Sequence, residues 1–239
     1  MSFLSVLLAA GSLVPFTMCA PMHRPAPVQL AKRSSDSYTF YQGTGNTPPW
    51  PAQSAWVGTL AEMFTYNKNI LENSCSQFNV PNNSEQEISD LQTAIQTVAG
   101  QTGVDARFIF AITLQESNGC VRAPTTNGGV VNPGLMQDHD GTASCNIGGV
   151  VSNPCPADTI TAMISQGVAG TPEGDGLVQC LSKSGASDGS QYYKAARIYN
   201  SGSIAAGGDL GAGVATHCYA SDVANRLTGW VTGNRINYY

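Results

Sequence analysis

The stretch 84–100, SEQEISDLQTAIQTVAG, limits most narrowly what this chain can fold into. Ser84 and Glu87 have the spacing of a capping box, and Ile88, Leu91, Ile95 and Val98 share one stripe that stops at Gly100. A helix with a single apolar stripe must bury it against other apolar faces, and the rest of the chain supplies them. Between 53 and 73, Trp56, Leu60, Met63, Phe64, Ile70 and Leu71 recur at helical intervals and predict a first helix. Asp105 can cap a third, along which Phe108, Ile109, Ile112 and Gln115/Glu116 recur every three or four residues. Helical patterns resume in PADTITAMISQGVAG, in GLVQCLSKSG and in SDGSQYYKAARIYNSG, where Tyr192, Ala195, Ala196 and Tyr199 share a face. A Gly-rich loop, 201–213, precedes a last helix at 221–230. No strand-rich region, repeat or second-domain linker interrupts this order, so the expected class is mainly α, with long loops.

The ends read differently. Residues 1–20, MSFLSVLLAAGSLVPFTMCA, form an apolar run broken by Pro15, as in a signal peptide rather than a membrane span. Residues 21–33 are Pro-rich and end in Lys32-Arg33, the pattern of a pro-segment released by cleavage after a basic pair. An aperiodic arm, 34–52, then leads into a domain spanning 53–239. The chain is expected to be secreted, extracellular and monomeric.

Secretion changes the reading of the cysteines. Cys19 leaves with the signal peptide, so Cys75, Cys120, Cys145, Cys155, Cys180 and Cys218 remain, an even set suited to three disulfides. The spacings contain no CxxC pair, which disfavours a zinc site, and they do not choose among the possible pairings. Losing residues 1–33 also removes three basic residues and no acid, leaving 8 basic against 16 acidic residues, a net charge of −8. That sign offers no footprint for nucleic acid or an anionic membrane. Charged residues are 11% of the chain against a usual ~25%, a composition in keeping with neutral carbohydrate as a partner.

Within this frame, FAITLQESNGC at 110–120 runs apolar residues straight into Glu116. A carboxyl at the end of an apolar helix is desolvated and feels the negative end of the helix dipole, and both effects favour its protonated form. A Glu that stays protonated near neutral pH can give its proton to a glycosidic oxygen. The irregular stretch 117–156, rich in Gly, Asn and Pro, is long enough to suggest a functional loop.

Three short stretches extend the reading: QES at 115–117, GLMQ at 134–137 and IYNSG at 198–202. In order and spacing, over about residues 100–230, they resemble the soluble lytic transglycosylase domain and the related goose-type lysozymes. The resemblance implies a lysozyme-like fold and a β-1,4-linked substrate containing N-acetylhexosamine. It implies Glu116 as general acid, with Tyr199 placing its hydroxyl nearby. By the same resemblance Ser117 helps hold the catalytic helix at the substrate site, Met136 and Gln137 border the subsite for the N-acetyl sugar, and Asn200 braces that side of the cleft. The chain departs from goose-type lysozymes in having no acidic residue between Glu116 and Asp138, and His139 where they carry an acid. The second carboxylate is therefore open, with Asp138 and Asp140 as the local candidates. Without a base, the sugar's own 6-hydroxyl can close on the anomeric carbon to give 1,6-anhydro ends. His139 between Asp138 and Asp140 does not make a metal site alone, since adjacent residues point apart, so neither metal nor cofactor is expected. Asn82-Asn-Ser is the one full N-glycosylation sequon.

The leading expectation is a secreted enzyme that cleaves peptidoglycan. Its rivals are an enzyme of the same fold acting on chitin or chitooligosaccharide, and a catalytically silent carbohydrate-binding protein.

Overall fold

A computed structural model describes residues 36–213 and 215–232. The expected signal peptide, its Cys19 and the pro-segment lie outside the described residues. The molecule is mainly helical: α1 (Leu60–Asn73), α2 (Glu85–Thr102), α3 (Ala106–Ser117), α4 (Ala157–Ala169), α5 (Leu177–Lys183), α6 (Ser190–Ser201) and α7 (Tyr219–Leu227).

Local sequence explains the boundaries. Thr59 and Glu62 close a capping box at the start of α1, with the Glu62 amide donating to Thr59 Oγ1 (3.1 Å) and the Thr59 amide to Glu62 Oε2 (2.9 Å). This box corrects the expectation of one helix from residue 53: Gln53–Ala55 is a 3-10 turn, and the α-helix starts only at Leu60. Ser84 and Glu87 close the predicted box on α2, and Asp105 caps α3 by accepting from the Arg107 amide (2.9 Å). The final helix starts two residues earlier than predicted and ends at Leu227, where Arg226 lies over the Trp230 ring, 5.0 Å from its centroid.

The apolar residues 108–112 and Leu114 make α3 the centre of the core. It packs against α1, α2 and α7, while α2 lies along α4, and α5, α6 and α7 follow one another around the other side. Phe64 of α1 stacks on Phe110 of α3 with centroids 4.1 Å apart.

The stretch 117–156 is not wholly irregular. It forms two minimal antiparallel hairpins, β1 (Thr126–Asn127) with β2 (Val131–Asn132), and β3 (Asn146–Ile147) with β4 (Val150–Val151). The second turns through Gly148 and Gly149, both at positive φ (60° and 83°), as a two-residue hairpin demands. Runs of two residues are too short to show an alternating pattern in sequence. Disulfides Cys75–Cys120 and Cys145–Cys155 staple this region, and the buried Arg122 braces it by donating to Ser152 O (2.9 Å), Asn153 Oδ1 (2.7 Å) and Glu87.

The third expected bridge is absent: Cys180 and Cys218 are free, buried thiols. Their neighbours differ, since Cys180 faces the cleft beside Asp175 and Lys183, whereas Cys218 lies near Tyr38 of the N-terminal arm. That arm is extended but not loose. Tyr38 is buried and donates to Asp222 (2.7 Å), the Thr39 amide donates to Asn225 Oδ1 (2.8 Å) and the Tyr41 amide to Ser221 Oγ (3.0 Å), so it is strapped along α7. Inside α6, Arg197 is buried and donates to Ala212 O (2.7 Å) and Thr216 O (2.8 Å), which fixes the Gly-rich loop.

Candidate active site

Glu116 stands in the last turn of α3 because the chain turns left-handed immediately after it. Asn118 (φ 54°) closes the helix with its amide on Leu114 O (3.0 Å), and Gly119 (φ 76°) follows. A Cβ on Gly119 would sit 2.5 Å from Leu71 Cδ2, so glycine lets the helix end press against α1.

The three stretches singled out in the sequence meet here. Ser117 Oγ donates to Leu135 O (2.8 Å) and Thr113 O (3.1 Å), tying the end of α3 to the 134–137 turn. Tyr199 Oη of α6 donates to Met136 O (2.9 Å), tying the same turn to α6 from the other side. Gly134 (φ 71°) permits the turn, since a Cβ there would lie 2.6 Å from Met163 Sδ.

A cleft of about 970 Å³ opens beside this junction and is lined by Glu116, Gln137, Tyr199 and Asn200 among others. Gln137, at φ 49°, is held by its amide: Nε2 donates to Pro124 O (3.0 Å) and Gly134 O (2.9 Å), and Oε1 accepts from Thr126 Oγ1 (2.8 Å). Asn200 Oδ1 accepts a long bond from Arg197 (3.5 Å). Other expected site residues are placed elsewhere. Met136 is fully buried, its side chain under Gly167 of α4, where a Cβ would approach it to 2.6 Å. Ser117 is buried as well, so both residues shape the site from behind and do not line it.

The direct partner of Glu116 is a residue the sequence reading missed. Tyr219, in the first turn of α7, donates its hydroxyl to Glu116 Oε1, whereas Tyr199, expected in that place, spends its hydroxyl on Met136 O. Nothing local marks Tyr219, which lies 103 residues along the chain from Glu116. Gln115 holds the two helices in register: its Nε2 donates to Asp222 Oδ2 (3.1 Å) and its Oε1 accepts from Arg226 Nε (3.0 Å). Because the N-terminal arm straps α7 one turn further on, it also fixes Tyr219.

Burial pushes the Glu116 carboxyl up to about 7, opposed by the Tyr219 hydrogen bond. Both phenols are driven well above their ordinary value, first by burial and then by the Glu116 charge. They therefore stay protonated and serve as donors. With Tyr219 on Oε1, Oε2 is left to carry the acidic proton.

The candidate second carboxylates differ from each other. Asp138 is 3% exposed and its carboxyl, apart from its own backbone amide, has no hydrogen-bond partner among the described residues; burial pushes it up to about 6. Asp140 is exposed and accepts from the Val131 amide (3.3 Å). Neither lines the cleft. The other cleft carboxylates belong to Glu173 and Asp175, on the α4–α5 loop, which the sequence reading passed over. Among the described residues no group of His, Cys, Asp and Glu has the arrangement of a metal site. In comparisons with family models, characterised proteins and solved structures, the chain matches none.

Proposed function

We propose that this chain cleaves a β-1,4-linked polymer of N-acetylhexosamine with Glu116 as general acid, on a lysozyme-like fold of the lytic transglycosylase and goose-type lysozyme kind. The observation that carries the reading is Glu116 itself: a carboxyl raised to about 7, facing an open cleft, braced by a phenol and backed by two motif stretches that bond to one turn.

The chemistry follows from that placement. Protonated Glu116 gives its proton to the glycosidic oxygen as the C–O bond breaks, and the leaving chain departs as an alcohol. Positive charge develops on the anomeric carbon and ring oxygen, and the carboxylate now formed at Glu116 faces it, fixed by Tyr219. An attacking hydroxyl then bonds to the anomeric carbon and returns its proton to Glu116, which restores the acid. An inverting hydrolase holds a water on a second carboxylate about 6.5–9.5 Å from the acid. Asp138 is buried off the cleft, Asp140 is engaged with the Val131 amide and Asp175 is paired with Lys183. On the resemblance to lytic transglycosylases the attacker is the sugar's own 6-hydroxyl and the products carry 1,6-anhydro ends, whereas hydrolytic products would point to Glu173, the remaining carboxylate among the described cleft residues, as the base.

The two disulfides suit an oxidising compartment, in keeping with a secreted, monomeric enzyme that meets an extracellular polysaccharide. No helix among the described residues is long and apolar enough to cross a membrane. The resemblance points to peptidoglycan as the polymer, and chitin has the same linkage and acetamido group. Incubating the protein with each purified polymer and weighing the soluble products by mass spectrometry tests the reading. Released fragments lighter by one water than hydrolytic ones are expected, and no fragments from either polymer would refute it.

A further inference from the structure

The wall of the cleft facing away from Glu116 in sequence is the α4–α5 loop, 170–176, and it is built to hold its shape. The Thr171 amide donates to Gly174 O (3.0 Å), the Gly174 amide donates back to Thr171 Oγ1 (2.9 Å), and Thr171 Oγ1 donates to His139 O (2.6 Å). Gly174 lies against the His139 side chain, where a Cβ would approach to 2.3 Å, and a Cβ on Gly176 would come within 2.3 Å of the Gly170 nitrogen. The loop is closed on itself and on the 137–140 turn, so the side chains it presents are set in place.

Those side chains carry charge of one sign. Glu173 and Asp175 both line the cleft. Among the described lining residues the only lysine or arginine is Lys183, and its ammonium is already paired with Asp175. His139, the remaining basic group, lies 3.5 Å from Asp140 Oδ2. The Glu173 carboxylate has no ion-pair or hydrogen-bond partner among the described residues. Much of the remaining lining is amide and hydroxyl, from Asn132, Gln137, Gln179 and Asn200 to Thr126 and Ser201. Such a wall can hydrogen-bond hydroxyl and acetamido groups but, among the described residues, has no unpaired lysine or arginine with which to receive a carboxylate. Peptidoglycan carries carboxylates on its stem peptides, whereas chitin-type chains carry none.

We propose that the 170–176 loop is the specificity element of the cleft, and that Glu173, with the Asp175–Lys183 pair, selects chitin-type β-linked aminosugar chains against carboxylate-bearing peptidoglycan. The inference rests on the glycan-cleaving reading above and narrows its substrate. Repulsion of this kind acts on the wrong substrate rather than adding contacts to the right one, and it weakens with salt.

The test compares kcat/KM on fully N-acetylated chitooligosaccharides with kcat/KM on soluble, uncrosslinked peptidoglycan strands bearing stem peptides, at low and at high salt. The native protein should favour the chitooligosaccharides, and added salt should narrow the ratio. Glu173→Lys reverses one charge at an exposed position and should shift the ratio toward peptidoglycan by about fivefold at low salt, with Glu173→Gln giving a smaller shift in the same direction. A native preference for peptidoglycan, or a ratio that neither variant moves, would overturn the inference and leave the role of Glu116 standing. Cleavage of neither polymer would overturn both.

Discussion

Glu87, in the first turn of α2, is buried and Glu116, in the last turn of α3, is part-buried at the cleft; desolvation acts on both, and their carboxyls are driven to opposite sides of the ordinary range. Burial pushes Glu87 up, but the amides of Ser84 and Cys155, the Ser84 hydroxyl and the Arg122 charge together hold it below its usual value. Burial pushes Glu116 up to about 7, and among the described residues a single donor, Tyr219, opposes it. Helix position reinforces the contrast, because an N-terminus favours the charged carboxylate and a C-terminus disfavours it. Desolvation alone therefore does not mark a catalytic acid. The number of donors turned toward the buried carboxyl decides whether it is locked as an anion or poised as an acid, and the open cleft beside Glu116 gives the poised one a substrate.

The largest stability effect should come from breaking the locked site. Glu87→Gln leaves Arg122 buried without its counter-charge and should cost on the order of 3–5 kcal/mol in urea unfolding; a cost under about 1 kcal/mol would show that the four donors do not act as a unit. The poised site predicts the opposite sign. Since folding raises the Glu116 pKa from about 4.5 to about 7, its contribution to native stability is full below about pH 4.5 and is lost as pH rises through 7. Glu116→Gln removes that decline, so the variant should be more stable than the native protein at pH 8 by up to about 3 kcal/mol, with the difference shrinking toward pH 5. A variant less stable at pH 8 would contradict the assignment. Replacing Cys145 and Cys155 together by serine opens a loop of sequence separation 10 and also loosens the Cys155 amide on Glu87. The closure term alone predicts a loss of about 3 kcal/mol. The smallest effect belongs to Tyr219→Phe: with the one lowering hydrogen bond gone, the Glu116 pKa rises, and the alkaline limb of the activity profile moves to higher pH by about one unit or less.

These two glutamates also show what the sequence makes legible. The helix start at Ser84 and Glu87 and the cap at Asp105 depend on residues two to three apart, and they stand in the structure as the spacing predicts. Glu116 could be singled out because helix period and chain-breaking Asn118-Gly119 placed it locally. Its partner Tyr219 and the Glu87 partner Arg122 could not, because each pairing joins helices or loops far apart in the chain, with no local pattern at either end. A buried arginine also runs against the usual exposure of that residue. The resemblance implies Met136 beside the sugar subsite, yet packing against Gly167 takes its side chain inside, and Ser117, implied as a holder of the catalytic helix, lies buried with its hydroxyl on Leu135 O. Even cysteine number suggested a third bridge, and Cys180 and Cys218 instead face separate neighbours.

The account stands on Glu116 as the proton donor, and the direct measurement is the initial rate of glycan cleavage by the native protein and by Glu116→Gln across pH 4–9. Gln keeps the shape and loses the proton. The native rate should fall as pH rises through about 7, where Glu116 ionises, and the variant, while remaining folded, should be slower by about 100-fold or more below pH 7, with the gap narrowing as the native rate declines toward pH 9. A variant that retains native-like rates, or a native rate that does not fall through pH 7, would contradict it.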